Sequence, residues 1–204
     1  MRLSNSVFVV AALSCAVAAP VSASLVFQSG PSIAGLGTFT GSMTFVATSS
    51  TTGELSVELT NTSPVANSGW LTAVAVHIVD GVTLALATPG SGWNLLVDAS
   101  GSPYGTFDFG ASTSATWEGG GSPSNGIAIG SSLTTVFTVT ASASVLATLT
   151  ELSFFDGSGG TAFVARFRGF ADGNSDKVTG VVVPAPGALV LLGIAGLVGV
   201  RRRR

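Results

Sequence analysis

Between residues 24 and 180, apolar and polar positions alternate with a period of two, and no stretch there carries a convincing helical period. Residues 54–60 are the cleanest case: Leu55, Val57 and Leu59 face one way, Glu54 and Glu58 the other. Residues 38–47 place Phe39, Met43 and Phe45 on one face. Residues 133–140 do the same with Leu133, Phe137 and Val139. Residues 70–79 are almost wholly apolar, which predicts a central strand buried on both faces. Further strands are predicted at residues 82–87, 93–97, 104–109, 113–117, 145–155 and 162–170. In the last, Phe163 and Phe167 oppose Arg166 and Arg168. About ten short strands with turn signals between them predict an all-β domain, a β-sandwich or jelly roll, spanning residues 24–180.

Composition agrees with the pattern. Charged residues are only 9% of the 204-residue chain, against about 25% in an average soluble protein. Gly, Ser and Thr take their place, as suits strands joined by tight turns. The charges are also sorted. Arg2 and Arg201, Arg202, Arg203 and Arg204 lie in the end segments. Between them, Arg166, Arg168 and Lys177 stand against all ten acids, a net charge of −7. Such a surface repels nucleic acid, which is excluded as a partner.

The two ends read as targeting signals. Arg2, the apolar run 7–19 and the small-x-small sequence ending at Ala23 predict a signal peptide over residues 1–23, cut before Ser24 by signal peptidase after export through the Sec machinery. Pro20 breaks any longer helix, which argues against a retained anchor. Cys15 lies inside this leader and lacks the Leu-led context of a lipoprotein signal. Without the leader the chain has no cysteine, hence no disulfide and no thiolate.

At the other end, Val183, Pro184, Ala185, Pro186 and Gly187 precede an apolar stretch, residues 188–200, and then the four arginines. The prolines keep the entry segment extended. The uncharged stretch 181–200 is just long enough for a bilayer of about 30 Å. The arginines would stay on the cytoplasmic side. This order resembles the PEP-CTERM sorting signal of Gram-negative bacteria, with Pro184-Ala185-Pro186 where that family has Pro-Glu-Pro. The resemblance covers about the last 22 residues. It implies processing by an exosortase, a membrane cysteine protease, and delivery of the domain to the cell surface or beyond. An ordinary, uncut C-terminal anchor is the alternative. Residues 54–62 and 163–177 are more loosely similar to stretches of other exosortase-dependent surface proteins, which implies no catalytic residues.

Candidate chemistry inside the domain is sparse. Asp172, Asn174 and Asp176 have the alternate-oxygen spacing of a Ca²⁺ loop, the one cofactor the sequence leaves open. Lys177 and Val183 stand where that motif needs Gly and Glu, so a polar turn is the favoured reading. Trp70, Trp93, Tyr104 and Trp117 are candidate stacking surfaces for an exopolysaccharide, with core packing the competing role. His77 is the only histidine, and no Gly-x-Ser-x-Gly elbow accompanies it. Glu54, Glu58, Asp108, Glu118 and Glu151 are the only material for a two-carboxylate glycosidase. The expected function is therefore that of a non-catalytic surface or matrix protein associated with biofilm. A carbohydrate-binding module is the alternative, and a secreted hydrolase a distant third.

Overall fold

A computed structural model describes residues 24–88, 92–157 and 160–184. The signal peptide, with Ala23 at its cleavage site, and the tail from Ala185 through Pro186, Gly187 and the arginines lie outside the described residues. Among those described, no helix is long and apolar enough to cross a membrane.

Ten strands are described: β1 (Leu25–Ser32), β2 (Phe39–Ala47), β3 (Thr52–Asn61), β4 (Ser68–Val76), β5 (Val82–Thr88), β6 (Asn94–Ser100), β7 (Thr106–Ser112), β8 (Ser132–Ala141), β9 (Phe163–Phe170) and β10 (Asp176–Val182). They form one sheet in the order β5-β8-β3-β2-β1-β10-β9-β4-β7-β6. Each pair of neighbouring strands is antiparallel. The sheet curls into a barrel- or sandwich-like shell, so its two halves share one core. Met43, Leu55, Val57 and Phe137 from one half meet Val74, Phe109 and Phe163 from the other, around a void of about 30 Å³. Phe27, Phe39, Phe155, Phe163 and Phe167 form a chain of ring contacts at 5.0 to 6.5 Å through this core. Offset and tilted ring pairs of this kind add to the hydrophobic gain.

The half built from β5, β8, β3, β2 and β1 obeys the alternation of its sequence. In β3, Leu55, Val57 and Leu59 are buried while Glu54 and Glu58 are exposed. The half built from β10, β9, β4, β7 and β6 is covered on both faces near its centre. All of Leu71, Thr72, Ala73, Val74 and Ala75 are buried, as the apolar run predicted for this strand. A second cluster, comprising Ala73, Ala75, Leu96, Ala99, Phe107, Trp117 and Val164, lies outside the shell under the loops that follow β6 and β7.

Three sequence expectations are corrected. Residues 113–117 are not a strand; they begin a bent loop over the second cluster. Residues 145–155 are not a strand either. Ser142 Oγ accepts the Val145 N–H and starts a single helical turn, α1 (Ala143–Leu146). Thr150 and Ser153 then cap a 3-10 turn, Glu151–Phe154. Local side-chain caps of this type divert an otherwise β-prone apolar run. β1 and β10 carry no expectation from the pattern, yet they pair with each other at the junction of the two halves. Finally, β10 continues to Val182, and the Val183 N–H donates to Val26 O at 2.8 Å. Val181 and Val182 therefore belong to the folded domain rather than to the apolar tail.

Candidate functional site

The loop that covers the second cluster meets both arginines of β9 and holds buried polar atoms without protein partners. Its anchor is Arg166 on β9. This side chain points to the outer face, as its alternation with Phe163 and Phe167 requires, but the loop buries it: Arg166 is 7% exposed. One guanidinium nitrogen donates to the carbonyls of Trp117 and Glu118, and Nη2 pairs with Glu118 Oε2 at 3.1 Å. Arg168 donates to Gly120 O at 3.3 Å. Burial lowers the Arg166 pKa, and Glu118 partly restores it. The two arginines thus meet one acid, Glu118, and otherwise hold backbone carbonyls. Arg166 Nε, Trp117 Nε1 and Thr113 Oγ1 are buried with no protein partner. Three unsatisfied groups around one loop make a site where ordered water would be bound strongly.

Beside this loop a cleft of about 250 Å³ runs along β6. Asp98, Ser100, Thr116, Trp117 and Glu118 line it, with Val97. Asp98 has φ of +50°, a left-handed conformation that costs a non-glycine residue energy. Glu118 and Asp98 are two carboxylates brought to one cleft. Sequence reasoning singled out the first but not the second.

A larger cleft of about 310 Å³ lies between Trp93 and the segment after the 3-10 turn Pro123–Asn125. Its walls include Asn125, Ile127, Ser131, Ser132 and Leu133. Trp93 and Trp117, at 6% and 3% exposure, are core side chains that also line the clefts. Trp70 is half-buried on β4 beside Gly169 and Pro123. Tyr104 is half-buried against the second cluster; burial, with Asp176 adding to it, raises its pKa. The four rings are not gathered into one exposed platform.

The other candidates have structural partners. Asp172 accepts both the backbone and side-chain N–H of Asn174, bonds that lower its pKa. Asp176, four residues on, is fully buried and faces elsewhere. It accepts from Ser32 Oγ at 2.7 Å and from the backbone N–H of Ala34, Leu36 and Gly37 at 2.8 to 2.9 Å. Burial alone would raise its pKa; these four bonds outweigh burial and lower it. The spaced oxygens therefore encode an Asx turn and then a carboxylate that locks the 32–37 segment to β10. His77 Nδ1 lies 3.3 Å from Asp108 Oδ2, its ring stacked on Phe107 at 4.5 Å. The same Asp108 oxygen accepts the Ile78 N–H at 2.9 Å. Glu151 Oε1 accepts the Phe45 N–H at 3.3 Å. Glu54 and Glu58 stay on the exposed face of β3. Among the described residues, no three His, Cys, Asp or Glu side chains are placed to hold a metal ion.

Asn61, which the pattern passes over, is fully buried at the end of β3. Its Nδ2 donates to Gly69 O and Ile127 O, and its Oδ1 accepts the Ser63 N–H. The available signal is its position: a polar residue in the inward series of Leu55, Val57 and Leu59. A buried amide persists only where such bonds satisfy it.

No family model and no curated protein match this chain. Among solved structures, it is similar to the crystal structure of the yeast GGA1 GAE domain, at 10% identity and a TM-score of 0.33. That likeness covers 72% of this chain and 91% of the other. It supports no statement about fold or function.

Proposed function

We propose that this chain is an exported, non-catalytic surface or matrix protein of a Gram-negative bacterium. Its leader is removed by signal peptidase and its tail is processed by an exosortase. The observation that carries the reading is the order of parts at the C-terminus: the Pro184-Ala185-Pro186 sequence, an apolar stretch and four arginines. A second feature supports it. The expected leader, ending at Ala23, and the expected sorting signal, beginning at Val183, flank β1 and β10, which are neighbours in the sheet. A domain bounded so closely by both signals loses little ordered structure when either is removed. The domain then contributes to an extracellular polymer layer or biofilm through its hydroxyl-rich outer face.

Intact mass of the protein from its native host tests this. The expected mass lacks residues 1–23 and the tail. Full-length material in the cytosol would overturn the reading.

A second reading, a carbohydrate-binding module, is favoured by the two open clefts. Each has a tryptophan in its wall and polar side chains around it, the mix that suits sugar rings. On a glycan array, binding that is lost in Asn125→Ala or Asp98→Asn supports this reading. Uniform silence across the array removes it.

A further inference from the structure

The exit point of the tail sits beside an uncharged, partly apolar patch. Val26 and Val181 are 45% and 39% exposed. Alternation puts both on the outer face. Val26 adjoins the core residue Phe27 in β1 and pairs with Ser42; Val181 pairs with Gln28. Thr44 and Val46 continue the same face along β2, with Val46 at 47% exposure. Charge enters at the border, at Glu54 opposite Val46, at Glu58 opposite Ser42, and at Lys177 four residues before Val181 on β10.

Chain length decides what meets this patch. The backbone is held to the domain through Val183, whose N–H is bonded to Val26 O. On the membrane-threaded reading above, residues 184–200 must cross the bilayer before Arg201. As a helix, residues 188–200 would rise about 20 Å. Extended, residues 184–187 would add about 13 Å. Together these barely match a hydrocarbon core of about 30 Å. No slack is left between the end of β10 and the membrane, because the fold has claimed Val181 and Val182.

We infer that, while the tail spans the membrane, the outer face of β1 and β10 around Val26 and Val181 rests on the bilayer surface. Its partner is phospholipid. Uncharged hydroxyl and amide side chains meet the headgroups, and the valines meet the upper acyl chains. Glu54 and Glu58 on β3, beyond β2, repel anionic lipid and limit the depth of contact. This inference rests on the proposed membrane intermediate.

The processed chain lacks cysteine, so single-cysteine variants test the idea directly. Val26→Cys, Val181→Cys and Val65→Cys chains are made in a host without exosortase, which leaves the tail intact. Each carries an environment-sensitive dye, in vesicles of phosphatidylethanolamine with a minor share of phosphatidylglycerol and nitroxide-labelled lipid. Val65, 81% exposed, lies beyond the opposite end of β3 and serves as the control. The expected result is severalfold stronger quenching at positions 26 and 181 than at 65. Equal quenching at all three, in chains that resist alkaline carbonate extraction, overturns this inference alone. Extraction of the chain by carbonate overturns the membrane reading and this inference together. Dye shielded at 26 and 181 without nitroxide quenching means that another copy covers the patch, which also overturns it.

Discussion

The two halves of the sheet solve the same burial problem differently. The half from β5 to β1 buries one face and leaves Thr, Ser and Glu side chains on the other. The half from β10 to β6 is apolar on both faces at β4 and β9, so it needs a cover. The loops after β6 and β7 provide it, with Trp117 as the largest side chain of the second cluster. A loop has no ladder to hold its backbone groups. Arg166, Arg168 and Glu118 hold this one through carbonyls and a single ion pair. Doubly buried strands are therefore stabilised by apolar area but depend on a few polar groups to keep the cover closed.

The largest effect is expected at the cover. Trp117→Ala should cost about 3 to 5 kcal/mol by removing a buried indole. Urea denaturation, with the midpoint lowered and the slope unchanged, checks it; a loss below 1 kcal/mol would mean the second cluster is not a core.

Next is the joint between the halves. Asp176→Asn removes the charge that four donors address, at a cost of about 2 to 3 kcal/mol. The pH dependence follows from the lowered pKa. A carboxyl that titrates below its unfolded value, about 3.9, contributes fully at neutral pH. That contribution is lost as the pH falls through about 4 to the folded value. The variant should therefore show a flatter acid limb than the parent in thermal melts between neutral pH and acid. Parallel limbs would remove Asp176 from the account.

A third test compares packing against backbone. A Cβ at Gly126 would lie 2.4 Å from Leu71 O, on the segment that bridges to β4. Gly126→Ala should cost about 1 to 3 kcal/mol, since a carbonyl in a paired strand cannot step aside. An unchanged melting temperature would show that this segment can shift freely.

The smallest effect belongs to the open face of the other half. Glu58→Gln and Thr138→Ala should each stay within about 0.5 kcal/mol. A larger loss would mean that this face is covered by something in the folded protein, and the contrast between the halves would fail.

Legibility followed the same division. β2, β3 and β8 could be read because one face meets water, so side-chain polarity reports orientation at every second position. Residues 145–155 read as a strand but form turns. Their apolar content resembles a strand, and the caps at Ser142 and Thr150 act only over three residues. Arg166 was assigned correctly to the face opposite Phe163 and Phe167, but its burial depends on a loop almost fifty residues earlier. Likewise the cleft formed by Asp98 and Glu118 joins residues that no spacing relates.

Period-two alternation, low charge and turn-forming residues were enough by themselves to make this an all-β chain, because those features act between near neighbours. Pairing of β1 with β10, burial of Asp176 and Asn61, and the covering of β4 and β9 were decided only in three dimensions. Each depends on contacts between segments distant in the chain. There the gain from closing a core outweighs local preference, and no local pattern records which distant segment will supply the cover.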